Sequence, residues 1–332
     1  MTRPPPVGHA RVQALLRQAV GRGRVPQTLL FAGPEGVGKH TMARTLAQTL
    51  NCPVALEGVA CGTCSVCVRI DKGQFSDVVE VDNGEIASIS IKSIRERVLD
   101  LVGYRPFEGR RRVFIIDPAD ALSVQAQDAL LKTLEEPPPA AILILISAYP
   151  DALRPTVLSR CRRVRFGVLA DSEVAQVLQG RHGLDAASAR MRAALAGGSV
   201  SRALALDGAE LEGDRALAMD LIRTAAAQPL DAKLKAAAEM AKSPKHRRAR
   251  ESLAIRLAHV SSLLRDIGTL TTSAVGTAVL ANTEREEDLR ELVRAYPPDR
   301  VVTAFGVVAR GQAALDRNAS PKIVADWVAV RM

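Results

Sequence analysis

The segment GPEGVGKHT, Gly33 to Thr41, has residue types and spacing that suit a polyphosphate. Gly33, Gly36 and Gly38 allow a turn whose backbone N–H groups point at an anion beside a helix N-terminus. Lys39 is the ammonium that reaches the β- and γ-phosphates in the pattern G-x-x-x-x-G-K-[ST]. The last position of that pattern supplies a hydroxyl to Mg²⁺, and here it is His40. Thr41 comes one residue late, about 100° further round a helix of 3.6 residues per turn. Mg²⁺ is a hard cation that takes oxygen ligands in preference to imidazole. The phosphate cradle is kept and the metal's hydroxyl is not. The plainer alternative is a glycine turn between strand and helix with no ligand.

A second segment, RRRVFIIDPADAL, bears on the same chemistry. An α/β domain that hydrolyses a nucleotide ends a second strand in a carboxylate near the metal, and a Glu beside it polarises the attacking water. Asp117 is in place, but Pro118 follows and has no group that takes a proton. Asp117 is otherwise read as a strand-end carboxylate that turns the chain, and Asp120 is expected to cap the helix that follows. Two departures in one chain argue against ATP turnover.

Four of the five cysteines form a third constellation, Cys52-x8-Cys61-x2-Cys64-x2-Cys67, with Gly62 in the turn of the first C-x-x-C pair. Four thiolates at such spacing suit tetrahedral Zn²⁺. No nearby Asp, Glu or His completes a site with an open position, so the expected role is structural. Four unrelated thiols, or a redox pair, are the alternatives.

These residues need elements to position them. TLLFAG, DVVEV, RVFIID and AILILIS are short apolar runs that read as strands, with helical stretches between them. The alternation predicts a parallel sheet with helices on both faces over residues 1–166, with the cysteine module (52–67) inserted. From 167 to 207 the chain reads as a small helical unit, broken at Gly197–Ser199, and from 208 to 332 as a second helical domain. The 332 residues are 47% apolar and 24% charged, as in soluble globular proteins. No apolar run approaches the roughly 20 residues that cross a bilayer, and the start has no apolar signal segment, so no membrane contact and a cytoplasmic location are expected. The net charge of +9 suits nucleic acid or an acidic partner. Aromatics are 3% and offer no stacking platform, so a DNA contact is expected to be to phosphates. The densest basic run, KHRRAR (Lys245 to Arg250), reads as a solvated helix face or a contact to nucleic-acid phosphates.

ALLKTLEEPP (Ala129 to Pro138), followed by LSRC (Leu158 to Cys161), resembles the clamp-loader branch of the AAA+ proteins. The inserted four-cysteine module resembles the bacterial DNA polymerase III members of that branch. The resemblance runs from RVPQTLLFAGPEGVGK to SRCRRVRF, resumes at GGSVSRAL, and returns in ALDRNASPKIVADWV, which is similar to the family's C-terminal collar. It implies a P-loop α/β AAA+ core, a small helical lid and an all-α collar that joins a hetero-oligomeric ring. In the hydrolysing subunits, gamma and tau, a Thr follows the loop Lys and a Glu follows the strand Asp. With His40 and Pro118, this chain resembles the non-hydrolysing delta-prime type. The resemblance makes Arg160 an arginine finger offered in trans to a neighbour's ATP, an effect of about 10³–10⁵ in other NTPases. It puts Arg202 at the second sensor, Ser147 near the first, and His9 and Arg24 near segments that meet adenine or a neighbour. The implied partners are the gamma/tau and delta subunits, the sliding clamp and primed DNA. The implied cofactor is structural Zn²⁺, with ATP and Mg²⁺ at a degenerate site formed by Gly33, Gly36, Gly38, Lys39, His40, Thr41, Asp117 and Arg202. Two alternatives remain. One is an active gamma/tau-like ATPase or related remodeller in which Thr41 replaces the missing hydroxyl. The other is a zinc-stabilised nucleic-acid-binding protein that works alone. Nothing resembles a polymerase site, which needs paired metal-binding carboxylates.

Overall fold

The computed structural model describes residues 6–84, 88–206, 208–243, 249–272, 280–316 and 319–332. The chain forms two compact units, one of Met1–Glu173 with Ser199–Ser201, the other of Val174–Gly198 with Arg202–Met332. The first unit begins with α1 (Ala10–Gly21), β1 (Thr28–Ala32), α2 (Lys39–Asn51), α3 (Ser65–Asp71) and β2 (Val78–Val81). Then α4 (Ile91–Ile94) and α5 (Asp100–Val102), joined through a wider π-turn, lead to β3 (Arg112–Ile116). α6 (Val124–Glu135), β4 (Ala141–Ser147), α7 (Pro155–Leu158) and β5 (Arg162–Arg165) complete the sheet.

All strand pairs are parallel, in the order β2-β3-β4-β1-β5. A parallel sheet is covered on both faces, so its strands are apolar throughout rather than alternating. AILILIS in β4 is buried at all seven positions. Leu30, Leu143 and Leu145 pack against Ile94, Leu130 and Leu134 on one face. Leu29, Phe31, Ile142 and Ile144 pack against Leu16, Met42 and Leu46 on the other. The register sets Ala32 beside Ser147 and Val81 beside Ile116. The strand ends therefore bring Gly33, Asp117 and Ser147 to one edge of the sheet. The four expected strands and the parallel α/β class are the ones observed. The fifth, β5, is not among the expected strands: only Val164 of RRVR is buried, and three arginines face out. Charged edges of this kind blunt unwanted strand pairing, and they hide the strand from a hydrophobicity pattern.

After β5 every element among the described residues is helical or a short 3₁₀ turn. α8 (Asp171–His182), α9 (Ala186–Leu195) and α10 (Val200–Ala205) precede α11 (Gly208–Ala227), α12 (Leu230–Ala241) and α13 (Ala249–Thr272). α14 (Glu286–Val293), α15 (Pro298–Asp316) and α16 (Pro321–Arg331) follow. Ile222, Leu257, Leu264, Tyr296, Val308 and Val328 are among the residues of one apolar core in this unit. Lys245 to Arg248 of the basic run lie outside the described residues. Among the described residues no helix is long and apolar enough to cross a membrane.

Candidate nucleotide site and metal centre

β1 ends at Ala32, and the glycine loop leads directly into α2, with Gly38 as its N-cap in a left-handed conformation. Gly36 is required by space as well as by backbone angle. Its φ is +73°, and a Cβ there would lie 2.1 Å from Ser199 Oγ and 2.8 Å from Ser201 Cβ. The Val200 N–H donates to the Gly36 carbonyl at 2.9 Å, so the segment Ser199–Ser201 lies against the loop. His9 steadies the loop from the other side: its Nε2 lies 2.9 Å from the Val37 carbonyl, and its ring meets Phe166 edge-on. Arg24 is exposed.

Lys39 is buried, and its Nζ donates to the Gly33 and Pro34 carbonyls at 2.7 and 2.6 Å. Burial lowers its pKa, against the pull of Asp117, Asp120 and Glu35. His40 Nδ1 lies 2.8 Å from Asp117 Oδ2, and Nε2 lies 3.3 Å from Glu80 Oε2. Arg44, one helical turn on, donates to both oxygens of Glu80 at 2.5 and 2.7 Å. The hydrogen bonds with Asp117 and then Glu80 raise the His40 pKa to about 9. Burial opposes charge on Glu80, yet hydrogen bonds from His40 and Arg44 hold its carboxyl down at about 2. The carboxylates that Mg²⁺ would draw on are thus occupied by imidazole and guanidinium. This donor set does not fit Mg²⁺.

Thr41 points elsewhere. It lines a cavity with Leu16, Arg17, Thr45, Gln48 and Val59, on the side of α1 and the cysteine module. The Asp120 carboxylate accepts the Ala148 N–H at 3.0 Å and does not cap α6; Ser123 does, accepting from the Ala126 N–H. The sequence preference for Asp at a cap was outweighed by a Ser one residue before the helix. The Ser147 hydroxyl is buried with no hydrogen-bond partner. The sequence reading missed Glu80 and Arg44. The one signal was a carboxylate inside the otherwise all-valine strand VVEV, Val78 to Val81.

Arg160 lies between α7 and β5. Its carbonyl accepts the Thr28 hydroxyl at 2.7 Å. Its guanidinium pairs with Glu135, at the end of α6, and donates to the Thr156 carbonyl at 2.8 Å. Gln27, Thr28, Pro137 and Ser159 line the open pocket around the pair. Arg202 is exposed in α10, beside Gly197 in the second unit.

The four cysteines come together. Cys52 caps the C-terminus of α2, Cys64 caps the N-terminus of α3, Cys67 lies within α3, and Gly62 takes φ +74° in the turn. Cys52 Sγ is 3.6 Å from Cys61 Sγ and 3.9 Å from Cys64 Sγ, and all four sulfurs lie within 4.8 Å of one another. Tetrahedral Zn–S bonds of about 2.3 Å put sulfurs roughly 3.8 Å apart, so the thiols suit one metal ion. Cys161 is remote in sequence and packs against the core.

Residues 8–170 match the model of a family described as DNA polymerase III, delta subunit. This segment is similar to a DNA polymerase III delta-type domain. Over 173 residues the chain is 36% identical to DNA polymerase III subunit tau of Escherichia coli, covering 52% of this chain and 26% of that protein. Over 205 residues it is 31% identical to DNA polymerase III subunit gamma of Buchnera aphidicola subsp. Schizaphis graminum, covering 60% and 56%. The chain therefore spans from about a quarter to little over half of these relatives. Among solved structures, a DNA polymerase III gamma subunit-related protein of Thermotoga maritima aligns over 95% of this chain and 98% of its own, at 16% identity and TM-score 0.37. The RuvB Holliday junction branch migration motor of Thermotoga maritima aligns over 89% and 91%, at 16% identity and TM-score 0.42.

Proposed function

We propose that the chain is a clamp-loader subunit of a replicative DNA polymerase III that does not hydrolyse ATP and instead offers Arg160 to a neighbouring ATPase subunit. The observation that carries this reading is the His40 bridge. The position that needs a metal-binding hydroxyl holds an imidazole fixed between Asp117 and Glu80. Pro118 removes the water-polarising carboxylate, and Thr41 faces α1. An arginine finger acts from outside its own site, so loss of turnover here is compatible with a role in a neighbour's turnover. Arg160, half-buried in an open pocket and held by Glu135, is suited to such exchange. In this reading residues 1–166 are the core, 167–207 a lid that carries Arg202 at the second-sensor position, and 208–332 an oligomerising collar. The partners are gamma/tau and delta subunits, with the sliding clamp and primed DNA met through the complex in the cytoplasm. The four thiolates hold a structural Zn²⁺.

A second reading, an active ATPase of the gamma/tau kind, is favoured by the names of the relatives across the first half of the chain. One experiment separates the two. The purified chain is expected to turn over no more ATP with Mg²⁺ and primed DNA than a Lys39→Ala variant does. In the reconstituted complex, Arg160→Ala is expected to slow ATP hydrolysis by about 10³-fold at the site it serves. Turnover by the chain alone that Lys39→Ala abolishes moves it to the second reading.

A further inference from the structure

Both ring nitrogens of His40 face a carboxylate oxygen, Nδ1 toward Asp117 and Nε2 toward Glu80. A neutral imidazole has one N–H and one lone pair, so it satisfies one of these contacts and turns a lone pair on the other. Only the imidazolium donates to both. Glu80 is further fixed by the two-pronged contact from Arg44. The result is a resident cation, carried on α2 and locked between two carboxylates, beside the buried ammonium of Lys39.

From this arrangement we infer that His40 takes the place of the divalent metal, and that the loop binds a nucleoside polyphosphate free of Mg²⁺. The inference rests on reading residues 33–41 as a nucleotide site that does not hydrolyse. For Mg²⁺ to reach Asp117, the carboxylate must release His40 Nδ1–H, and a dication would then lie against an imidazolium. Both changes cost energy at a half-buried site. A polyphosphate makes neither demand. Its charge meets the loop N–H groups and two resident cations, and Ser147, with its unpartnered buried hydroxyl, lies at the strand end beside the loop. Elsewhere a metal neutralises phosphate charge in order to position it for attack. Here the protein's own imidazolium neutralises the site's carboxylates, which favours retention of the nucleotide without assembling a reaction centre.

The test is ATP binding to the full-length chain by calorimetry, in EDTA and again in excess Mg²⁺. ATP is expected to bind in EDTA, to change in affinity by less than about twofold with Mg²⁺, and to be lost in Lys39→Ala. In His40→Thr, which restores a hydroxyl, Mg²⁺ is expected to tighten binding by about tenfold or more. The wild-type comparison needs no variant, and circular dichroism checks that each variant is folded. Wild-type affinity that rises about tenfold with Mg²⁺ overturns the inference. So does absence of ATP binding in EDTA, binding that ignores Lys39→Ala, or a folded His40→Thr that stays indifferent to Mg²⁺. Turnover is a separate readout: Mg²⁺-tightened binding without hydrolysis removes this inference and leaves the proposed function standing.

Discussion

Arg256 and Asp214 show how strictly a buried charge depends on its partner. Arg256 Nε donates to Asp214 Oδ1 at 2.6 Å, and its NH1 reaches the Met240 carbonyl at 2.9 Å. Both side chains are almost fully buried. Removing one partner leaves the other charged and desolvated, so Asp214→Ala should destabilise the chain by about 3–5 kcal/mol. An Arg256→Met, Asp214→Ala double variant should recover much of that loss, because it buries no unpaired charge. Urea unfolding of the three proteins reads both values, and a double variant no better than Asp214→Ala would refute the account. The same dependence explains what the sequence disclosed at the candidate nucleotide site. His40 stood out because the motif names the hydroxyl it replaces. Glu80 did not, because its partners His40 and Arg44 lie on α2, and no spacing along the chain connects that helix to β2.

At the scale of elements, the cysteine module is the clearest case of local sequence specifying local structure. The C-x-x-C turns, Gly62 and the helix ends at Cys52 and Cys64 are all adjacent in the chain, so the cluster was legible from spacing alone. The hairpin at Leu56–Val59 was not: a Cβ on Gly58 would lie 2.5 Å from the Arg17 carbonyl of α1, a tertiary contact that no local pattern announces. The buried strands were legible for the opposite reason, since a two-sided parallel sheet writes continuous apolar runs such as AILILIS. β5 escaped because an edge strand needs only one buried side chain. The module also makes a prediction of its own. Purified protein should hold about one Zn²⁺ per chain, and Cys64→Ser should lose it. Loss of the metal should unfold the 52–67 segment, since an ion shared by the four thiols would hold α2 and α3 to the loop between them. Elemental analysis and the protease sensitivity of that segment check both points. Full metal retention in Cys64→Ser would mean that the thiols do not form one site.

Across the whole molecule, two histidines give the two units opposite responses to pH. His259 on α13 is buried with no hydrogen-bond partner for Nε2. Burial pushes its pKa down to about 4; Asp214 and Glu212 oppose that shift and Arg215 adds to it. An unfolded histidine titrates near 6.5. Above that pH the residue is neutral in both states, and its contribution to stability is fully present. As pH falls from 6.5 through 4, the unfolded chain takes up the proton first and the helical unit loses about 3 kcal/mol in all. His40 has the reverse sign. Its pKa is raised to about 9 by Asp117 and Glu80, so the α/β unit keeps that contribution below 6.5 and loses it as pH rises through 9. Trp327, the one tryptophan of the chain, lies on α16 in the helical unit, so its fluorescence reports that unit's unfolding. The Trp327 transition should fall by several degrees from pH 7.5 to pH 5, at roughly 2–4 °C per kcal/mol. Substituting His259 by Leu should flatten that fall, and His40→Ala should leave it in place while removing the alkaline loss from the α/β unit. A Trp327 transition that holds steady down to pH 5 would mean that His259 accepts its proton inside the fold, with a buried partner that moves to meet it.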